Sequence, residues 1–308
     1  MTERIVMTGG TGLVGKAVAA ALIDSEYEVV LLARDLDRAR SLVPNAAGYL
    51  PYRSGERGGW ETALAGADHV VNLAGAPVFK PFTGRRHLRK VTAQRIEGAL
   101  QLVAAIHRAP NGPRTLLNAS SVGVYGFGAP ADGLVDEKTA PIPGEHTRGS
   151  REWETAAAAE PAARTVLLRL SFVLTGNGGG LKWQLDQARK GRSSYFAPGS
   201  QWLPWIHLDD VVAFVRRALG DDSWKGAYNL VAPEHVRSRE FAETLARATA
   251  ADPPRRSPAL LARLFVGAGA DIVLGGRRVT PARLLESGFE FRYPDLAGAL
   301  RECAGAAK

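Results

Sequence analysis

At 308 residues, with 45% hydrophobic and 23% charged composition, the chain is long enough to bury a full core, as one large domain or two modest ones. Its single cysteine, Cys303, excludes an internal disulfide framework and any multi-cysteine metal site. The formal charge of +8 comes from Arg and Lys scattered among acidic residues, so nucleic acid is not an expected partner, and no apolar run approaches the roughly 20 residues that span a bilayer. No charged-then-apolar leader precedes the first ordered pattern, and the expected compartment is the cytoplasm.

In chain order, the apolar run Arg4 to Thr8 predicts a strand, Lys16 to Ile23 a helix, and Val29 to Ala33 a second strand. Together they make a β-α-β unit of about 30 residues, as parallel pairing requires. The pattern continues with a strand over His69 to Ala74, a long helix over Leu88 to His107, a strand over Thr115 to Ala119, a helix over Arg151 to Ala159 and a strand over Arg164 to Leu170. Alternation of this kind predicts an α/β fold with a Rossmann-type doubly wound parallel sheet. Beyond Leu174 the texture changes. Gly176 to Gly180 reads as a loop, Leu181 to Arg189 as a helix, and the aromatic, Gly/Pro-bearing stretch Ser193 to Trp205 as a cover over substrate. Asp209 to Leu219 follows as a helix, and Ala227 to Val231 as a strand returning to the first sheet. Helices are expected over Arg239 to Thr249, Pro258 to Phe265 and Pro281 to Ser287. The expected division is a nucleotide-binding Rossmann domain over 1–174, rejoined by 206–231, and a smaller C-terminal substrate lobe built from 175–205 and 232–308.

The segment TGGTGLVG places Gly9, Gly12 and Gly15 directly after a strand and directly before a helix. The first glycine allows a sharp turn, the second close approach to a pyrophosphate, and the third close packing of the helix, whose N-terminal N–H groups then face phosphate charge. The strand before and the helix after are the context that makes this a dinucleotide site. The second strand ends at Ala33, Arg34 and Asp35, at the edge that faces the adenosine ribose. An arginine there pairs with a 2′-phosphate, so Arg34 points to NADP(H), while a carboxylate one position along, Asp35, would instead accept from a 2′-hydroxyl.

The motifs TGGTGLVG, VNLAGAP, SSVGVYG, QWLPWIHLDD, GAYNLVAP and LLESGFEFRYPDLAGAL occur in this order along essentially the whole chain. In this they resemble the extended short-chain dehydrogenase/reductase superfamily, and within it the sugar-nucleotide-epimerase-like branch of the SDR39U1/YfcH type. The resemblance implies a Rossmann domain carrying NADP(H) and a smaller lobe over the nicotinamide end. It also implies that Gly9, Thr11, Gly12, Leu13 and Val14 line the pyrophosphate, Arg34 the 2′-phosphate, and Leu73, Ala74 and Gly75 the adenosine side. Lys90 and Arg95 lie on the long helix where the branch places cofactor contacts, although an exposed helical face explains them equally. Val173 follows the strand that ends near the nicotinamide, and Asn72 is expected to brace the loop backbone.

In most of that superfamily a Ser or Thr, a Tyr and a Lys four residues later share the proton chemistry. Ser121 matches the hydroxyl position. Counting from Trp153 and Glu154, the Tyr-x-x-x-Lys positions fall on His146 and Ser150, so the dyad is absent, as the resemblance implies for this branch. His146 titrates near neutral pH and can exchange a proton where Tyr would, but it sits in the Pro/Gly-rich stretch PIPGEHTRGS, which reads as exposed loop. Tyr125 is expected to pack and position. No metal is expected at His207, Asp209 and Asp210, because Asp209 or Asp210 is better explained as a helix cap. Gln201, Trp202 and Trp205 are expected at the pocket mouth, and Gly178 to Gly180 either receive an anion or serve as a flexible loop. The favoured function is an NADP(H)-dependent oxidoreductase or epimerase-like enzyme acting on a small carbonyl or hydroxyl substrate, with Ser121 and His146 as catalytic candidates. The alternative is a non-catalytic NADP(H)-binding or redox-sensing protein. A true nucleotide-sugar epimerase ranks last, because it needs the missing phenol.

Overall fold

In a computed structural model, residues 2–76, 84–127, 133–142, 144–159 and 163–306 are described, apart from the side chains of Glu145, His146, Phe265, Val266 and Ala268. The first half alternates strand and helix: β1 (Arg4–Thr8), α1 (Leu13–Asp24), β2 (Glu28–Ala33), α2 (Leu36–Leu42), β3 (Gly48–Pro51), β4 (His69–Asn72), α3 (Arg85–Arg108) and β5 (Thr115–Ser121). After the two-residue β6 (Leu134–Val135) come α4 (Glu145–Ala157) and β7 (Arg164–Leu170). Then follow β8 (Phe172–Leu174), α5 (Gly179–Arg189), β9 (Ser194–Phe196), β10 (Trp205–His207), α6 (Leu208–Gly220) and β11 (Gly226–Leu230). The chain ends with α7 (Ser238–Ala248), β12 (Arg255–Ser257), α8 (Ala259–Val266), α9 (Ala270–Leu274), β13 (Arg278–Val279), α10 (Ala282–Glu286) and α11 (Leu296–Ala306).

Seven strands form one parallel sheet in the order β11-β7-β5-β4-β1-β2-β3. Strand order reverses between β1 and β4, and in such sheets ligands bind beyond the carboxyl ends of the strands at that switch point. The strands read as continuous apolar runs because both faces are covered. On one face Ile5, Met7, Val29, Leu31, Val71 and Leu117 pack with Val18, Ala19 and Leu22 of α1 and with Val211, Phe214 and Val215 of α6. On the other, Val6, Leu32, Val70 and Leu116 pack with Leu102, Val103 and Ile106 of α3. A third apolar core joins Leu181 and Leu185 of α5, Phe241 and Leu245 of α7, and Leu296, Leu300 and Cys303 of α11 around Trp205.

The structure moves several predicted boundaries. Helix α4 begins at Glu145, six residues before the expected Arg151, so His146 and Ser150 lie on a helix and not in a loop. The Pro/Gly stretch only delays the helix to the residue after Gly144, where the Thr147 hydroxyl donates to the Ile142 carbonyl at 2.6 Å. Neither Asp209 nor Asp210 caps α6. The cap is His207, whose Nδ1 accepts from Asp209 N at 3.2 Å. Asp210 is fully buried and instead accepts from the backbone N–H groups of Arg292 and Tyr293 at 2.6 and 3.3 Å, which ties the C-terminal segment to the sheet. Among the described residues no helix is long and apolar enough to cross a membrane.

Candidate active site

The chain leaving β1 turns over Gly9 with φ +75°, and a Cβ there would lie 2.4 Å from the Leu73 carbonyl carbon and oxygen and 2.6 Å from Ala74 N. The turn is therefore pressed against the segment leaving β4. At Gly15 a Cβ would sit 2.0 Å from the Gly9 oxygen, which sets how closely α1 approaches its own turn. Gly12 differs: its φ is −79°, it is exposed, and a Cβ would meet only the Gly9 oxygen, at 3.2 Å. Gly12 caps α1 without a side-chain hydrogen bond, and the first turn holds no acidic residue. The orphan N–H groups at Leu13 and Val14 thus face the crevice without a protein anion. Gly178, the cap of α5, also lacks a side-chain cap. Cβ atoms at Gly178 and Gly179 would lie 2.7 and 2.8 Å from the Leu13 side chain, so the two helix N-termini open side by side. Two positive helix ends at a switch-point crevice suit a diphosphate.

At the far edge of β2, the Asp35 carboxylate accepts from Arg38 N at 2.9 Å and caps α2. The neighbouring Arg34 is exposed. The Asn72 Oδ1 accepts from the Thr8 hydroxyl at 2.6 Å and from Ala74 N at 3.3 Å, while its amide donates to Asn118 Oδ1 at 2.6 Å. Asn72 therefore braces the loop that carries Leu73, Ala74 and Gly75. Arg95 braces it from behind: Nη2 donates to the Ala76 carbonyl at 3.2 Å, the guanidinium lies 4.9 Å from the Trp153 ring, and burial lowers its pKa. Lys90 stands exposed on α3.

Ser121 ends β5 and caps the 3-10 turn Val122–Tyr125, its Oγ accepting from Gly123 N at 3.0 Å. The hydroxyl hydrogen can still donate to a ligand oxygen. Beneath it runs a buried polar chain. Ser120 donates to Glu154 Oε1 at 2.6 Å, and Arg169 clasps Glu154 through two bonds of 2.8 Å. Burial opposes the Arg169 charge, but the Glu154 carboxylate outweighs it and raises the pKa. Arg169 also donates to the Tyr125 hydroxyl at 2.7 Å, which in turn donates to Asn229 Oδ1 at 2.9 Å. Burial pushes the Tyr125 phenol up to about 12, and its hydroxyl is bonded on both sides, by Arg169 and to Asn229. Glu154 lies on α4 and fixes that helix to β5 and β7. Gly149 seats it against α3, where a Cβ would come 2.5 Å from Thr92 Cγ2. His146 and Ser150 stand one turn apart on α4, with the His146 side chain outside the described residues.

A model of the NAD dependent epimerase/dehydratase family matches residues 5–230. The chain belongs to that family. Residues 257–303 of this family member also match a domain of unknown function, DUF1731. An SDR39U1 homolog of the epimerase family from Arabidopsis thaliana, labelled chloroplastic, is 30% identical over 300 residues, which is 96% of this chain and 85% of that protein. The epimerase family protein YfhF of Bacillus subtilis is 28% identical, covering 97% of each chain. The crystal structure of human epimerase family protein SDR39U1 with NADPH superposes with a TM-score of 0.85 at 27% identity, covering 98% of this chain and 99% of that one.

In this epimerase-family chain several expected site residues are engaged in packing and structural hydrogen bonds. Gln201 is buried and spent on structure, accepting from Gly199 N at 2.9 Å and donating to the Phe196 and Val273 carbonyls at 3.2 and 3.3 Å. Trp205 is a core residue, and Trp202 lines a depression. Val173 pairs with Ile206 between β8 and β10 and packs on the main core. His207, Glu302 and Cys303 bring three ligand-type atoms within 4.8 Å of one another. With Asp209 N donating to Nδ1, the ring proton sits on Nε2 and donates to Glu302 at 2.9 Å, while burial pushes the Cys303 thiol up to about 12. The bond between His207 and Glu302 ties α11 to β10. Sequence reasoning passed over Arg169 and Asn229; the signal available for Arg169 was a charge in the interior of the strand RTVLLRL, whose other arginine, Arg164, stands at its start.

Proposed function

We propose that the protein is an NADP(H)-dependent oxidoreductase or epimerase-like enzyme acting on a small carbonyl or hydroxyl compound. The observation that carries the cofactor half is the commitment of Asp35 to the α2 cap, which leaves Arg34 for a 2′-phosphate. The likeness to a human protein crystallised with NADPH supports the same reading. When bound, the cofactor gives or takes hydride at its nicotinamide. The protein's part is to hold the diphosphate on the N–H groups of Leu13 and Val14 and to aim the Ser121 hydroxyl at a substrate oxygen. The proton falls to His146, whose register on α4 is that of the family's missing Tyr, or to bound water or the substrate itself. We assign residues 1–174 and 206–231 to cofactor binding, and 175–205 and 232–308 to the substrate lobe.

The test pairs binding with turnover. Losing a charge-assisted hydrogen bond costs roughly 1.5–3 kcal/mol, so Arg34→Ala should weaken NADPH by about ten- to a hundredfold and leave NADH nearly unchanged. Equal affinity of the unsubstituted protein for NADH and NADPH would overturn the Arg34 assignment. Anaerobic incubation with NADPH and a panel of carbonyl compounds should give oxidation of the cofactor. Tight NADPH binding with no turnover across the panel would replace this reading by a non-catalytic NADP(H)-binding protein.

A further inference from the structure

Helix α8 carries its leucines on the outside. Leu260 and Leu264, one turn apart, are 73% and 62% exposed, and Leu261 beside them is 38% exposed, while Ala262 on the opposite side is fully buried. A surface helix ordinarily turns its large apolar residues inward and its polar ones outward, so the pattern of α8 is inverted. What anchors the helix to the fold is an alanine, and burial within the chain does not account for the leucines. None of them lines the depression beside Trp202. Leucines gathered on one outward face and bordered by charge, here by Arg263, mark a contact surface.

The border is positive well beyond Arg263. Strand β12 pairs with β9, Arg255 beside Ser194 and Arg256 beside Tyr195, and the Arg255 N–H donates to the Ser193 carbonyl at 2.9 Å. Pro258, with φ −57° and ψ 140°, then turns the chain straight from β12 into α8, so Arg256 stands four residues before Leu260. The two segments that this pairing joins, 187–208 and 253–270, hold Arg189, Lys190, Arg192, Arg255, Arg256 and Arg263 and no acidic residue. Arg189 is paired with Asp186 at 3.9 Å. The other five cations are exposed and form no ion pair with a described residue.

We propose that α8 and the β9–β12 ribbon form a peripheral docking surface for an anionic lipid membrane. The leucines enter the headgroup boundary, where a protruding face needs no complementary groove, and the five cations meet the lipid phosphates while their stems lie along the apolar layer. A second copy of the chain fits the face less well. Two copies meeting there would set the same arginines against each other, and an eight-residue helix, about 12 Å long, offers far less than the roughly 800 Å² per partner of a stable interface. The docking surface uses none of the residues assigned to NADP(H) and does not rest on the enzyme reading.

Co-sedimentation of the full chain with vesicles tests it, using equimolar phosphatidylcholine and phosphatidylglycerol against phosphatidylcholine alone. Binding is expected only to the anionic vesicles and should fall steeply as salt rises from about 0.1 M to about 1 M. Arg255→Gln/Arg256→Gln should weaken partitioning about tenfold or more, and Leu260→Ser/Leu264→Ser severalfold, with the parent's Tm and NADPH affinity as the check on folding. Lys190→Gln/Arg192→Gln, on the other segment, should act like the first pair and stands in if that pair fails the check. No binding to anionic vesicles at low salt, equal binding to phosphatidylcholine alone, or full binding by the folded variants would overturn the proposal. Loss in the arginine variant with none in the leucine variant would replace the membrane by a soluble polyanion. A dimer seen by light scattering without lipid, and lost in Leu260→Ser/Leu264→Ser, would replace it by a second copy of the chain.

Discussion

Gly12→Ala separates what the glycine turn does for folding from what it does for the cofactor. Its backbone already has φ −79°, and the added methyl would meet a single backbone oxygen at 3.2 Å. The fold should absorb that within about 1 kcal/mol, since an exposed glycine replaced by alanine also loses unfolded-state entropy. The same methyl stands at the mouth of α1, where the diphosphate must approach, and should displace one or two charge-assisted bonds of roughly 1.5–3 kcal/mol each. NADPH should then bind at least about tenfold more weakly with a nearly unchanged Tm. Gly9→Ala is the contrast. A side chain at φ +75° costs about 1–2 kcal/mol, and a Cβ 2.4 Å from the Leu73 carbonyl adds roughly 1–3 kcal/mol of overpacking, so both Tm and affinity should fall. Melting curves and NADPH titrations on the two variants in parallel decide the matter. A folded Gly12→Ala protein that binds NADPH like the parent would refute the close-approach argument.

Glu154→Gln breaks a buried ion pair and should cost roughly 3 kcal/mol or more in urea unfolding, an effect that Ser121→Ala, at a half-exposed strand end, should not reproduce. Arg57 and Arg108, 3.2 and 2.9 Å from Glu61, hold its carboxyl below the ordinary 4.5. A lowered folded pKa contributes stability above the ordinary value that is lost as pH falls through the lowered one, so the Tm gap between parent and Glu61→Gln should narrow below pH 4.5. A gap that persists unchanged into stronger acid would contradict that pairing. Cys303, with its thiol pushed up to about 12 by burial, should resist alkylation in the native protein at pH 8 and label fully in denaturant. Rapid native labelling would mean that the α11 core opens.

The parallel sheet was legible because strands buried on both faces leave uninterrupted apolar runs, as at Arg4–Thr8 and Arg164–Leu170. Edge strand β3, Gly-Tyr-Leu-Pro, and helix α2, with four charged or hydroxylated residues in seven, carry no such signal, and both went unread. The glycine turn was legible because its demands are local. Those of the C-terminal segment are not: Gly275 and Gly276 are required by their approach to Phe127 and Trp202, residues distant in sequence. A histidine cap escaped notice because His207 is an unusual residue for that position, and only the tertiary bond from its Nε2 to Glu302 fixes the ring that does the capping. The same distinction bears on the catalytic face. The residues at the expected dyad positions, His146 and Ser150, have changed, yet the parts that position them have not been dismantled. Ser120, adjacent to Ser121, is bonded to Glu154, and Glu154 is locked to Arg169, so β5, α4 and β7 are held in one register. That pair is buried, where breaking it would leave an uncompensated charge, so it holds the helix that carries His146 to the strand that ends in Ser121 whatever chemistry follows.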